Sequence, residues 1–304
     1  MFKKKKIYIA GCGGMLGEAF YSVFSKNYNL KCTDIDVNED WLSCLDFRDF
    51  DLYKEDVESF QPDYLFHLGA YTDLEWCEMN ADETYLTNTL SVEDAVYIAN
   101  KLNIPLIYIS TAGIFDGNKE LYDDWDQPNP LGVYARSKYM GERFVCENAK
   151  RFLVCRAGWM MGAGPSKDKK FIQKLMKQIK EGKKELFIVN DKDGTPTYTH
   201  DFARTVKILL LKEYWGLYNC VCGGQTSRLE VAQELLKIIG KEDDIKINVV
   251  TSEHFAEEYF AERPASERLW TRKLHLRGVS SMRDWKISLK EYIDDYYVDY
   301  LNKP

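Results

Sequence analysis

The sequence predicts an α/β protein built on a doubly wound parallel sheet, with a smaller α/β lobe towards the C-terminus. Three observations carry that expectation. Short apolar runs alternate with amphipathic stretches through the first half, runs such as "LIYI" and "FLVC" are apolar without a break, and a glycine-rich turn joins the first run to the first amphipathic stretch. Strand–helix alternation implies a parallel sheet covered on both faces. Strands buried on both faces read as continuous apolar runs.

In chain order, "KIYIA" is a strand, "MLGEAFYSVFSK" a helix and "LKCTDID" a second strand. "YKEDVESFQ" is a helix, "DYLFHLGA" a strand, "ETYLTNTLSVEDAVYIANKLN" a long helix and "PLIYIST" a strand. "YARSKYMGERFVCENA" returns to helix and "RFLVCRAG" to strand. Beyond about Ala163 the pattern loosens. "KFIQKLMKQIKEGKKEL" reads as an amphipathic helix, followed by a turn-rich loop, "NDKDGTPTYTHD". Asp201 is placed to cap the helix "FARTVKILLLKEYW". A further helix, "RLEVAQELLKIIGK", stops at Gly240. The strand "IKINVV" and a last helix, "SLKEYIDDYYVDYLN", complete the chain. Residues 1–162 therefore form the main domain and 163–304 a smaller lobe, with later segments free to cross back.

Composition excludes several classes. The 304 residues are 45% hydrophobic and 29% charged, with a net charge of −7, so there is no general attraction to nucleic acid or anionic lipid. The one basic block, Lys3 to Lys6, reads as a solvated N-terminal tag on the first strand. Only "IYIA" follows it, too short for a signal segment. No stretch approaches the ~20 apolar residues of a membrane span, so a cytoplasmic location is the default expectation. None of the eight cysteines forms a CxxC, and the four histidines are scattered. Reduced, mostly buried thiols are expected and no metal site. The "CVC" at Cys220 reads as a strand with both thiols on one face.

"IYIAGCGGMLGEAF" sets Gly11, Gly14 and Gly17 between strand and helix. The first glycine permits the tight turn, the second lets backbone approach a pyrophosphate, and the third lets helix and strand pack closely. The helix N-terminus offers N–H donors to phosphate. This is the phosphate cradle of a Rossmann-type dinucleotide domain. Its GxxGxxG spacing resembles the extended short-chain dehydrogenase/reductases that handle nucleotide sugars. The second strand ends in "TDID", where Asp34 or Asp36 can accept from a ribose 2′-OH and repel a 2′-phosphate. NADH is thereby favoured slightly over NADPH. The resemblance also implies cofactor contacts from Met15, Leu16, Asp46 in "LDFRD", Ala70 and Tyr71.

In "GVYARSKYMGER", Tyr134 and Lys138 lie four apart, on one face of a helix, where that superfamily keeps its YxxxK pair. Ser110 and Thr111 end the preceding strand and would face the nicotinamide region. A free tyrosine, with pKa near 10, is a poor acid at neutral pH. A neighbouring ammonium stabilises its phenolate. Tyr134 can then give a proton to a carbonyl oxygen as hydride reaches the carbon. Thr111 would orient that oxygen and Lys138 would also bind the nicotinamide ribose.

One family within that branch is resembled over nearly the whole chain, the dTDP-4-dehydrorhamnose reductases. "GAYTDLEWCE" is similar to their "AAYTxVDxAE", "STAGIFDG" to "STDYVFDG" and "NPLGVYARSKYMGE" to "xPxxVYGxSKxxGE". "RAGWMMG" is similar to "RTSWVYG", "DKDGTPTYTHDFA" to "DQxGSPTYTxDLA" and "RPASERLWTRKL" to "RPxxSxLxTxKL". The resemblance implies reduction of the 4-keto group of a nucleotide-linked 6-deoxy sugar. Ala112 and Gly113 depart from that pattern where it has Asp-Tyr, Glu267 stands in place of its Ser and Trp270 in place of an acid. The likeness points Trp159 towards the pocket, stacked on sugar or base, against the alternative of a core indole. Tyr71 and Thr72 would line the cleft, and Arg263 would pair with the substrate pyrophosphate. Some members of the family dimerise through a divalent ion, so a homodimer is a candidate assembly.

Two other readings remain at this stage. A non-catalytic regulatory subunit of the methionine adenosyltransferase type keeps the dinucleotide pocket but has no need of Thr111, Tyr134 and Lys138. A nucleotide-sugar epimerase shares them. A dehydratase adds an Asp-Glu pair after the Thr, where this chain has Ala112 and Gly113.

Overall fold

The structure is a computed structural model that describes residues 4–279 and 281–302. Its centre is a seven-stranded sheet of β1 (Lys6–Ala10), β2 (Asn29–Asp34), β3 (Leu42–Cys44), β4 (Tyr64–His67), β5 (Leu106–Thr111), β6 (Phe152–Ala157) and an edge strand, Gly216–Asn219. Every pairing is parallel. The order runs edge strand, β6, β5, β4, β1, β2, β3. The winding therefore reverses between β1 and β4, and such a reversal opens a crevice at the carboxyl ends of the two strands.

Strand side chains alternate between faces, and the sequence uses both. Ile7, Ile9, Phe66 and Ile107 enter one core with α1 (Met15–Phe24) and the helix Thr199–Leu211. Tyr8, Ala10, Leu65 and Tyr108 enter the other with α2 (Phe50–Phe60) and the helices Ser91–Leu102 and Val133–Asn148. On the first face Phe24 stands edge-on to Phe66 at 5.4 Å and stacks on Phe20 at 5.6 Å. Each fully buried ring of this kind stabilises by about 1.5–3 kcal/mol.

A separate core lies in the later part of the chain. There the parallel strands Glu185–Val189 and Lys246–Val250 pack with the helices Phe171–Lys180, Arg228–Ile238 and Trp285–Tyr296 through Met176, Leu186, Leu235 and Leu289. The short strand Trp159–Met161 pairs with Pro196–Tyr198 between the two bodies. Among the described residues no helix is long and apolar enough to cross a membrane.

Several local expectations change. Lys3 lies outside the described residues, and the next lysines are not a free tag. The Lys5 Nζ donates to the Tyr64 hydroxyl at 2.8 Å and the Lys6 Nζ to the Phe60 carbonyl at 2.8 Å. The helix after Lys170 stops at Lys180 and "EL" already belongs to a strand, because Gly182 turns the chain at φ +81°. The loop 190–201 holds the strand Pro196–Tyr198 and the start of the next helix. Asp201 is no cap: it sits inside the first turn, fully buried, and accepts from Ser288 Oγ at 2.7 Å and Arg283 Nε at 2.9 Å. "CVC" lies beyond the edge strand, and its thiols part company, Cys220 into the first core and Cys222 into the third. The long helix from Glu83 is broken by a π-helical turn, Leu86–Leu90.

Candidate active site

The crevice begins with the glycine loop. Gly11 has φ +74°, and a Cβ there would stand 2.2 Å from the backbone of Gly69 after β4. A Cβ on Gly17 would stand 1.8 Å from the Cys12 carbonyl oxygen, so α1 lies directly on its own loop. At Gly14, the N-cap of α1, nothing lies within 4 Å of the added atom and no side chain caps the helix. Among the described residues no group accepts from the first-turn N–H groups of Met15 and Leu16; the Leu16 side chain itself turns into the core. This open, glycine-walled helix end fits a dinucleotide pyrophosphate.

Around it stand the other predicted cofactor residues. Asp34 accepts from the Gly13 N–H at 2.8 Å and the Asp36 N–H at 3.0 Å, while Asp36 is exposed. Asp46 is gripped by Arg48, which holds its carboxyl below the usual range; the closest contact is 2.6 Å. Arg48 also reaches the Tyr71 hydroxyl at 3.2 Å. Ala70 is half-buried beside it. Tyr71 packs on Trp76 with centroids 4.3 Å apart.

The helix Val133–Asn148 starts at Gly132 without a side-chain cap of its own. Instead Glu78 Oε1 accepts from the Val133 N–H at 2.7 Å, and a Cβ on Gly132 would stand 2.5 Å from that oxygen. Tyr134 is therefore fixed in the first turn. Asn88, from the π-helical turn, bonds both backbone groups of Tyr71 (2.9 and 3.0 Å) and the Ser137 hydroxyl (3.1 Å). One amide thus ties the loop after β4 to the Tyr-Lys helix. Lower down, Arg156 on β6 and Glu142 on the helix form a buried ion pair at 2.6 Å, with side chains 4% and 3% exposed.

Thr111 and Tyr134 come together at the end of β5, and Lys138 follows one turn further along the same helix as Tyr134. A Cβ on Gly113 would stand 3.6 Å from Thr111 Oγ1 and 3.8 Å from Tyr134 Cε1. Thr111 Oγ1 accepts from the Gly113 N–H at 3.1 Å, so its own proton is free to be donated into the site. Lys138 Nζ rests on the Tyr108 ring, 4.2 Å from its centroid. Ser110 does not share the pocket with Thr111. Neighbouring strand residues face opposite ways, and Ser110 is 2% exposed with its hydroxyl sealed from any ligand.

Electrostatics here differ from the simple picture of an ammonium lowering a phenol. Burial pushes Lys138 down to about 7, opposed by Glu142. Burial also pushes Tyr134 up to about 12; the Thr111 hydroxyl opposes this and the Glu267 carboxylate adds to it. Desolvation disfavours both charged forms, so at neutral pH the tyrosine holds its proton. His67, behind the site, is driven to about 3 by burial and by Lys138 and stays neutral.

A second pocket adjoins this one, lined by Trp159, Met160, Met161, Phe171, Pro196 and Arg228. The Trp159 Nε1–H donates to Glu267 Oε2 at 2.7 Å. Arg228 lies 3.6 Å from the Trp159 centroid and 4.7 Å from that of Phe171. Among the described residues it makes no ion pair, and burial brings it down to about 10. Thr72 takes the Lys170 ammonium on its carbonyl (2.9 Å) and hydroxyl (3.0 Å). Arg263 is bidentate to Glu75 at 2.7 and 2.8 Å.

Sequence reasoning missed Asn88, Glu78, Lys170 and Arg228. The capping box of Ser227 and Glu230 marks where the Arg228 helix begins, but nothing local tells that its first residue points at Trp159. Among the described residues no cluster of acids, cysteines and histidines is arranged to hold a metal ion.

Comparison with known proteins fits this geometry. The family described as RmlD substrate binding domain matches residues 5–298. The spore coat polysaccharide biosynthesis protein SpsK of Bacillus subtilis is 28% identical, over 95% of this chain and 97% of its own. The dTDP-4-dehydrorhamnose reductase of Escherichia coli K12 is 26% identical, over 96% and 98%. Among solved structures, the dTDP-4-dehydrorhamnose reductase of Bacillus anthracis in complex with NADP superposes with a TM-score of 0.86 at 26% identity, covering 96% of this chain and all of that one (100%). The chain belongs to the RmlD substrate-binding family, that of the dTDP-4-dehydrorhamnose reductases.

Proposed function

We propose that this protein is a cytoplasmic NAD(P)H-dependent reductase acting on the 4-keto group of a nucleotide-linked 6-deoxy sugar, the reaction that turns dTDP-4-dehydrorhamnose into dTDP-L-rhamnose. The observation that carries the reading is the convergence of Thr111 and Tyr134 around Gly113, beside an open glycine cradle. NADH or NADPH supplies the hydride when bound. The helix end at Gly14, Met15 and Leu16 holds its pyrophosphate, and Asp34 at the tip of β2 favours NADH by repelling a 2′-phosphate. Thr111 donates a hydrogen bond to the sugar carbonyl and aligns it. Tyr134, kept protonated by burial, gives that oxygen its proton as the carbon is reduced. Lys138 binds the nicotinamide ribose and gains charge from the company of the bound phosphates. Arg228, cationic and among the described residues in no ion pair, takes the substrate diphosphate, with Lys170 near the entrance at Thr72. Residues 163–304 supply most of this sugar-binding side, and the assembly is a homodimer.

The test is the loss of NADH or NADPH absorbance with dTDP-4-dehydrorhamnose. Wild-type protein turns it over, and Tyr134→Phe lowers kcat by about 10²–10⁴-fold, the range for losing a positioned general acid. Cofactor binding without turnover on this or any related 4-keto sugar would instead mark a regulatory subunit.

A further inference from the structure

Of the four positions where this chain departs from the family pattern, two that are far apart in sequence, Gly113 and Glu267, meet at one point. Glu267 Oε1 lies 3.2 Å from where a Cβ on Gly113 would stand, the point already flanked by Thr111 Oγ1 and Tyr134 Cε1. Any side chain at 113 would thus compete with the Glu267 carboxylate for the same space. The similar motifs carry a tyrosine at 113 and a serine at 267; here a glycine clears the volume and a glutamate fills it. Packing makes the two changes one exchange. Its chemical outcome is that a neutral phenol gives way to an anionic acceptor beside the reacting carbonyl.

Among the described residues one carboxylate oxygen accepts a hydrogen bond and the other does not, while the Arg228 guanidinium lies close enough to feel the carboxylate. Oε2 is taken by the Trp159 indole N–H at 2.7 Å. The Glu267 N–H donates to the Asp193 carbonyl at 2.8 Å, fixing the backbone. Oε1 points to the catalytic hydroxyls, and the carboxylate is close enough to hold the Tyr134 proton more tightly. A half-buried acceptor left without a donor is costly.

We propose that Glu267 is the specificity-determining residue of the sugar site. Its Oε1 accepts a hydrogen bond from a donor on the ring carbon next to the keto carbon, so the substrate class is nucleotide 4-keto-6-deoxy sugars with a hydroxyl or amino group at C3. C3 is the flanking carbon able to carry one, since C5 bears the methyl group and the ring oxygen. The inference rests on the reductase reading above.

The experiment compares kcat/KM for dTDP-4-keto-6-deoxy sugar and its 3-deoxy analogue in wild type, Glu267→Ala and Glu267→Gln. A hydrogen bond to a charged group is worth about 1.5–3 kcal/mol, or roughly 10–150-fold. Wild type should prefer the 3-hydroxy sugar within that range. Glu267→Ala should bring the two sugars to within about threefold by losing activity on the hydroxy sugar alone. Glu267→Gln keeps an acceptor for Trp159, guards against a folding defect and should fall between them. A 3-amino sugar preferred over the 3-hydroxy one supports the same role with an ammonium donor. Turnover with an unchanged preference in both variants overturns this inference and leaves the reductase reading standing. No turnover of any of these sugars by wild type overturns both.

Discussion

The cofactor side and the sugar side of the cleft are built by opposite means. The pyrophosphate end of the cofactor side is backbone packed on backbone: Gly11 against Gly69 and Gly17 against Cys12. The sugar side is side chain packed on side chain, with Trp159 carrying Arg228 on its ring and Glu267 on its N–H. A surface made of backbone recognises what all dinucleotides share. A surface made of exchangeable side chains can be retuned without disturbing the fold, and two of this chain's departures from its family pattern, Gly113 and Glu267, fall on that side.

The contrast breaks most sharply at Gly17. Gly17→Ala drives a Cβ to 1.8 Å from a backbone oxygen that cannot swing aside, so the melting transition should fall by the equivalent of about 3 kcal/mol. Gly14→Ala, with nothing within 4 Å of the new atom, should leave stability within about 0.5 kcal/mol while weakening NADH binding, read by fluorescence titration. If both variants behave alike, the backbone side is not built as described.

The sugar side is sharpened by Arg228→Ala. It should raise the KM for the nucleotide sugar by about 10–100-fold, the cost of one lost charge-assisted contact, with the Kd for NADH unchanged. A fall in NADH affinity of the same size would move Arg228 to the cofactor side.

The smallest effect lies on the seam between the two, at Lys138. Its pKa without ligands is about 7, against an ordinary 10.5. The ammonium that the proposed function sets against the ribose is thus present below pH 7 and lost above it, and the Kd for NADH should rise severalfold between pH 6 and 8.5, roughly as titration of one group allows. Stability runs the other way. Between about 7 and 10.5 the unfolded chain holds a proton that the folded one lacks, so this group's contribution rises with pH. Lys138→Met should flatten both slopes.

What the sequence reveals follows the same division. The glycine loop, the end of β5 and the Tyr-Lys helix are each set within a dozen residues, and local spacing dictates their chemistry. Gly11, Gly14, Gly17, Thr111, Tyr134 and Lys138 are legible for that reason. Arg228 and Glu267 meet Trp159 only because three distant segments fold together, and no local period records such a meeting. Asn88 is hidden differently: a π-helical turn inside a long helical pattern looks like helix until the backbone is seen. Asp201 carried a true helix-start signal, but tertiary demand for a buried acid between Arg283 and Ser288 outweighed the cap. Glu267 was visible as an exception to a pattern, and its meaning came with the space above Gly113.

The Glu142–Arg156 pair gives the site a property beyond geometry. Pulling the helix from the sheet would strand a guanidinium and a carboxylate in a region with almost no water, and half-broken buried pairs are among the most unfavourable states open to a protein. Separation of the middle of this helix from the sheet is therefore disfavoured, and the amides around Glu142 and those of β6 are expected to open to solvent together. Tyr134 and Lys138 ride on that unit. Loosening that unit would move Tyr134, the proton donor of the proposed reaction, along with it.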